Sequence, residues 1–455
     1  MNETKELAQF IADIKYGDFV PQVIEKTKGL ILDQLGCELA FANLPWNKAV
    51  YDYIREKSGS GGGSTVVLYG LKTNVEDAAF ANATFGHGFE MDDTEMHTLT
   101  HPGSVVIPPA LALGENKRIS GKELITAVVA GYEAMIRVAF ASRTSLERSF
   151  HGTAVNGPFG SAAATCKILG LQADVILNAL GIAASEASGV SEYTISGGSV
   201  KRLHAGFASQ AGLKATLLAR HGLTGPTAAL EGKKGYCQAF ANKCYNEEIT
   251  ADLGKKYRVM WTGNKPYCCC AAQHSVIDAT AAIIKEHPLK PEEVEKIVVE
   301  LKAREVRAVG NIIEPHDITS AQFSGRFGVA LRLVKGSNGF HDYTMENIKD
   351  PVMLGLVHKI DLMPNENLEK QENEAAPAIV TIRLKNGAVY KKQVDYARGT
   401  IRNPMKIKEL EDKFRGLVSM VISDSQTGKI LKTVLGLEDV EDISRLASLL
   451  VAPKG

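Results

Sequence analysis

The stretch SGKELITAVVAGYEAMIRVAFA (Ser120–Ala141) decides the class of fold. Ser120 and Glu123 stand at capping-box spacing, where each side chain can satisfy a backbone N–H at a helix start. The run that follows is among the most apolar windows of the 455-residue chain, yet it carries Glu133 and Arg137. Two charges inside the window argue for a helix packed in a protein core and against a membrane span.

Working outward, the first 260 residues read as mostly helical. Apolar residues recur at three- and four-residue spacing before this stretch, with Pro21 opening a helix. After it, small residues dominate the helical runs GSAAATCKILGL and ADVILNALGIAASEASG, which permits close helix packing. The run Ser58–Ser64 (SGSGGGS) reads as a surface loop, followed by the strand-like TVVLYG. Near Lys265 the pattern changes. VEKIVVELK and PAIVTIRLKNGAVYKKQV read as strands, with Asn386-Gly387 as a type I′ hairpin signal. HSVIDATAAIIKEH and SAQFSGRFGVALRLVKG, between them, read as helices, and helical patterning returns after DYARGTIRNP, which ends at Pro404. The expected fold is mainly α with an α+β insert. A helical domain spans 1–264, an α+β lid 265–397, and C-terminal helices over 398–455 rejoin the helical domain.

Lysine plus arginine equals aspartate plus glutamate, 52 each, so no global basic field attracts nucleic acid or an anionic membrane. The N-terminus lacks the basic flank and apolar core of a signal peptide. Seven cysteines without framework spacing suggest a reduced, cytoplasmic protein. Cys268–Cys270 are adjacent, so their side chains diverge and read as packing residues rather than metal ligands.

Chemistry concentrates in GHGFEMDDTEMHTLTHPGS (Gly86–Ser104). As a helix it would place Glu90, Asp93 or Thr94, and His97 on one face. Pro102 disfavours helical geometry at His101 and so puts that histidine at a helix break. Ser104 can then cap the next helix, with Pro108 in its first turn. No metal-ligand spacing is present, and standing alone the stretch would read as a solvated acidic face. Three further segments add cations and imidazoles: SFHGTAV with His151, GGSVKRLHAG with Lys201 and His204, and KPYCCCAAQH with Lys265 and His274.

Together these segments resemble the MmgE/PrpD family. The resemblance rests on His87 through the His101-Pro102-Gly103 element, on His151, on Lys201 with His204, on Lys265-Pro266-Tyr267 with His274, and on Tyr396, Arg398, Gly399, Asn403 and Pro404. Two positions depart from the pattern, Glu90 in place of the usual first acid and Phe327 in place of a tyrosine. The resemblance implies a two-domain homodimer that acts without a cofactor on a di- or tricarboxylate, at a carbon α to a carboxylate. Dehydration of a hydroxylated acid, as in 2-methylcitrate dehydratase, is the first expectation. Decarboxylation, epimerisation or a non-catalytic binding role are the alternatives. Asp93, His101, His151, Lys201 and His204 are the expected catalytic set, with His101 as base and Asp93 orienting an imidazole. Glu90, Thr94, Lys265, His274 and Arg326 are expected to bind substrate, and His97 is expected at the surface. No metal is expected.

Overall fold

The computed structural model describes residues 2–58, 62–371 and 376–453, so part of the Ser58–Ser64 loop lies outside the described residues. The chain divides into two compact units. The first comprises residues 1–88, 92–262 and 406–455, the second 89–91 and 263–405. The fold is mainly α, with N- and C-terminal segments building the helical part and an α+β insert between them.

In the helical unit the Gly121–Ala141 helix starts with the Ser120–Glu123 capping box and is buried along nearly its whole length. It is the one described helix long and apolar enough to cross a membrane, and it lies wholly inside the unit. Its two charges pair with each other: Arg137 Nε donates to Glu133 Oε2 at 2.9 Å. Arg137 also donates to the Ala251 carbonyl at 2.6 Å, and Glu133 accepts from the backbone N–H groups of Arg258 and Val259. A buried ion pair is tolerated when its remaining hydrogen-bonding capacity is met in this way. The neighbouring Gly152–Ile168 helix approaches closely because both helices carry glycine at the crossing. A Cβ on Gly131 would stand 2.4 Å from Val106 and 2.9 Å from the Gly160 carbonyl.

Three expectations for the local structure are corrected. The segment from His87 to His101 is not a helix. The Val75–Gly86 helix ends before it, and Glu90 (φ 56°) and Leu99 (φ 52°) take the left-handed region, which breaks any helical run. The next helix, Gly103–Lys117, is N-capped by Pro102 and not by Ser104, whose hydroxyl donates to the His101 carbonyl. Pro108 and Pro109 lie inside that helix, beyond its first turn, so the carbonyls four residues back lose their intrahelical donors.

The second unit is built on a four-stranded sheet in the order Ile360–Pro364, Val294–Leu301, Ala378–Leu384, Val389–Val394. The first pair is parallel and the others antiparallel. The His274–Glu286 helix packs on the last two strands. The hairpin at Asn386-Gly387 forms, but not as a type I′ turn, since only Gly387 has positive φ (88°). Gly387 N–H donates to the Leu384 carbonyl, and Asn386 Oδ1 accepts from Ala388 N–H. That is a type I turn closed by a left-handed glycine.

Candidate active site

Four histidines meet in the helical unit, and three sit at helix N-termini. His101 precedes Pro102, the N-cap of Gly103–Lys117, and its backbone N–H donates to Thr153 Oγ1 at 3.1 Å. His151 is the N-cap of Gly152–Ile168. Lys201 and His204 occupy the first turns of Val200–Arg220. His87 closes the Val75–Gly86 helix from its C-terminal side. The ring of His87 lies 5.1 Å from that of His101 and 5.7 Å from that of His151, and His151 lies 5.2 Å from His204. All four are buried. Gly189 completes the wall: it takes φ 120°, its carbonyl accepts from His151 N–H, and a Cβ there would meet Ala154 at 2.3 Å.

The carboxylate beside the imidazoles is Asp92. His87 Nδ1 is 2.6 Å from Asp92 Oδ2, and His101 Nδ1 is 3.7 Å from the same oxygen. Asp93 points elsewhere: its Oδ2 accepts from the Tyr132 hydroxyl at 2.6 Å and its Oδ1 from Gly103 N–H at 2.9 Å. It reaches His101 through its backbone carbonyl, 2.6 Å from Nδ1. A carbonyl only accepts, so Nδ1 of His101 carries the hydrogen. Thr94 Oγ1 stands 3.2 Å from the same nitrogen.

Electrostatics differ across the cluster. Burial pushes His204 down to about 4, with His87 and Lys201 adding to the effect. His151 is held well below the ordinary histidine range by burial first, then by His87, Lys201 and His204. The two Nδ1 atoms are 3.0 Å apart, so one donates and the other accepts. Burial pushes Asp93 up to about 7 against the hydrogen bonds from Tyr132 and Gly103. Among the described residues no group of three or more His, Cys, Asp or Glu is arranged to hold a metal ion.

The expected residues therefore divide. Thr94, His101, His151, Lys201 and His204 gather in or beside the cluster, with the Asp93 carboxylate directed away from it. Glu90, Lys265, His274 and Arg326 belong to the second unit. There Lys265 Nζ lies 3.4 Å from Glu90 Oε2 with both side chains buried. His274 opens the His274–Glu286 helix, with Nε2 3.2 Å from the Cys269 carbonyl. Arg326 donates to the backbone carbonyls of Ile360 and Gly310, which makes it a brace of its own unit. His97 is not a surface residue: it is partly buried against Phe140 and Trp261, with Nδ1 2.6 Å from Glu95 Oε1. His87, Asp92 and Tyr132 were absent from the expected set, as was Tyr193, whose ring meets His151 and His204 edge-on. The signal for His87 and Asp92 was their place in the acidic, histidine-rich stretch that carries the family resemblance, from His87 through Gly103.

A helical unit with an α+β insert and a histidine–lysine cluster at converging helix N-termini defines a class, and comparison places the chain within it. The MmgE/PrpD N-terminal domain matches residues 5–248 and the MmgE/PrpD C-terminal domain residues 267–439. The chain belongs to the MmgE/PrpD family. It is similar to a cis-aconitate decarboxylase of Aspergillus terreus, 29% identical over 474 residues, covering 99% of this chain and 96% of that one. The human cis-aconitate decarboxylase is 28% identical over 464 residues, covering 99% and 95%. The Aspergillus oryzae cis-aconitate decarboxylase-like protein oryM is 27% identical over 484 residues, covering 99% and 97%.

Proposed function

We propose that this chain is a lyase that decarboxylates a tricarboxylate of the cis-aconitate type. The observation that carries the reading is the full-length similarity to cis-aconitate decarboxylases, and the cluster supplies chemistry that suits it. Dehydration, the first expectation from the family resemblance, becomes the second reading, since these relatives are named for decarboxylation.

In cis-aconitate one carboxylate sits on a methylene next to the double bond. When its C–C bond breaks, carbon dioxide leaves and the electron pair spreads through the double bond toward the carbon α to another carboxylate. That carbon then takes a proton, giving an unsaturated dicarboxylate. The reaction needs positive potential for three carboxylates and one well-placed proton donor. Lys201 and the N-terminal ends of the three helices supply the potential. His101 is the donor in this reading. Asp92 beside it favours the imidazolium, whereas burial, reinforced by His87 and Lys201, keeps His151 and His204 neutral and able to hydrogen-bond the substrate.

The test is incubation of the purified protein with cis-aconitate, read by mass spectrometry. Loss of carbon dioxide supports the reading. Water loss from 2-methylcitrate with no turnover of cis-aconitate would replace it by dehydration. The rate is expected to survive exhaustive chelation, and a homodimer is expected by light scattering, as the family resemblance implies.

A further inference from the structure

We infer that Tyr132 is a positioning residue for His101, acting through Asp93. The inference rests on the lyase reading for its kinetic consequence but not for its geometry.

Tyr132 is fully buried on the Gly121–Ala141 helix, and its hydroxyl donates to Asp93 Oδ2 at 2.6 Å. The other Asp93 oxygen is held at 2.9 Å by the N–H of Gly103, the first residue of the helix after His101. Pinned on both sides, Asp93 presents its backbone carbonyl to His101 Nδ1 at 2.6 Å. Two other oxygens compete for that nitrogen, Thr94 Oγ1 at 3.2 Å and Asp92 Oδ2 at 3.7 Å. Only the carbonyl is both close and unable to donate, so its position sets the tautomer. Nδ1 keeps its hydrogen and Nε2 becomes the atom that gains and loses the proton. The packing leaves little slack: a Cβ on Gly103 would stand 3.0 Å from both Asp93 Oδ1 and the Tyr132 hydroxyl.

The Asp93 carboxylate is buried among groups of both signs. Asp92 lies next to it in the chain, Asp33 and Lys26 face it from the Pro21–Phe41 helix, and Tyr132 faces it from its own helix. The phenol and the Gly103 N–H favour its anion. Tyr132→Phe removes one of those two donors, so Asp93 takes up a proton at higher pH and the carbonyl loses its anchor.

The experiment has two parts. The first reads the His101 ring by ¹⁵N NMR in the protein without substrate. The wild type is expected to show hydrogen on Nδ1 at pH 8, and Tyr132→Phe a mixture of tautomers. A wild-type ring with hydrogen on Nε2 overturns the inference with no variant needed, as does an unchanged tautomer in Tyr132→Phe. The second part is the pH profile of kcat/KM with cis-aconitate. The acid limb of Tyr132→Phe is expected to move up by about one unit, the size of one hydrogen bond to a charged group. A profile lowered uniformly, without that displacement, would mean a merely structural role and overturns the inference. If the wild type leaves cis-aconitate untouched while the tautomer behaves as described, the proposed function fails and the positioning role stands.

Discussion

The histidine cluster has two sides, and they are electrostatic opposites. On one side, His87 and His101 share the Asp92 carboxylate. On the other, His151 and His204 face each other beside Lys201 and are pushed toward the neutral form. Four residues of one type are thereby assigned different chemistry by their surroundings: a shared carboxylate on one side, and burial reinforced by His87 and Lys201 on the other. The carboxylate side can hold a proton for delivery. The lysine side can receive an anion without first giving up a proton.

The largest expected effect breaks the carboxylate side. His101→Ala should lower kcat by about 10²–10⁴-fold, the usual contribution of a proton-transfer residue. Its urea midpoint should also fall, reflecting about 1–3 kcal/mol of lost stability, because His101 is buried and removing its ring takes a donor from the buried Asp93 carbonyl. If turnover persists within tenfold, the proton comes from elsewhere and the two sides are not functionally distinct. On the lysine side, Lys201→Gln should cost about 10- to 100-fold in kcat/KM, as expected for losing a charged hydrogen-bond partner. It should also raise the His204 pKa, since Lys201 is one of the groups depressing it. An NMR titration in which His204 does not move would show that Lys201 does not hold that side neutral.

A smaller effect sharpens the comparison through stability. His204 titrates near 4 in the folded protein and at 6.5 when unperturbed. Between those values the unfolded chain binds a proton that the folded chain refuses, so stability falls as pH drops from 6.5 to 4. Asp93 has the opposite sign. Its pKa rises from 3.8 to about 7, so its contribution is complete below 3.8 and is lost as pH climbs through 7. In the wild type the two oppose each other across mildly acidic pH. Asp93→Asn should expose the histidine contribution, making the protein on the order of 2 kcal/mol more acid-sensitive between pH 7 and 5 than the wild type. Urea midpoints at the two pH values measure this, and equal acid sensitivity in both proteins would contradict it.

Much of this arrangement was legible in the sequence where a residue's role depends on its own local rule. Ser120 with Glu123 made a capping box, Pro102 kept His101 out of a helix, and the insert declared itself by strand-period runs. What was not legible depends on where the backbone turns. Asp92 and Asp93 are adjacent and chemically identical, and only the left-handed turn at Glu90 and the loop after it decide which one meets the imidazoles. Tyr132 sits in an apolar helix and reads as core, because nothing in its neighbourhood shows that its hydroxyl meets a carboxylate 39 positions away. The strand Ile360–Pro364 escaped notice because it is five residues long and ends in proline.

The smallest effect concerns the fifth histidine of the region, which belongs to neither side. His97 Nδ1 is 2.6 Å from Glu95 Oε1, and its ring lies 5.2 Å from Phe140 and 6.1 Å from Trp261. Glu95 is fully buried, and its other oxygen accepts from the Thr98 backbone N–H at 2.9 Å and the Thr98 hydroxyl at 2.5 Å. His97 is thus one of the donors that make a buried carboxylate tolerable, and its ring fills space between two aromatics. His97→Ala should therefore cost about 1–3 kcal/mol of stability, the cost of leaving a buried acceptor short of a partner. kcat/KM should stay within about threefold, because Nδ1 is engaged by Glu95 and the ring packs on Phe140 and Trp261. Thermal melts and initial rates on the same preparation decide it. A hundredfold loss of kcat in a variant that melts like the wild type would show that the chemistry runs through His97, and the two-sided cluster would then need a third member.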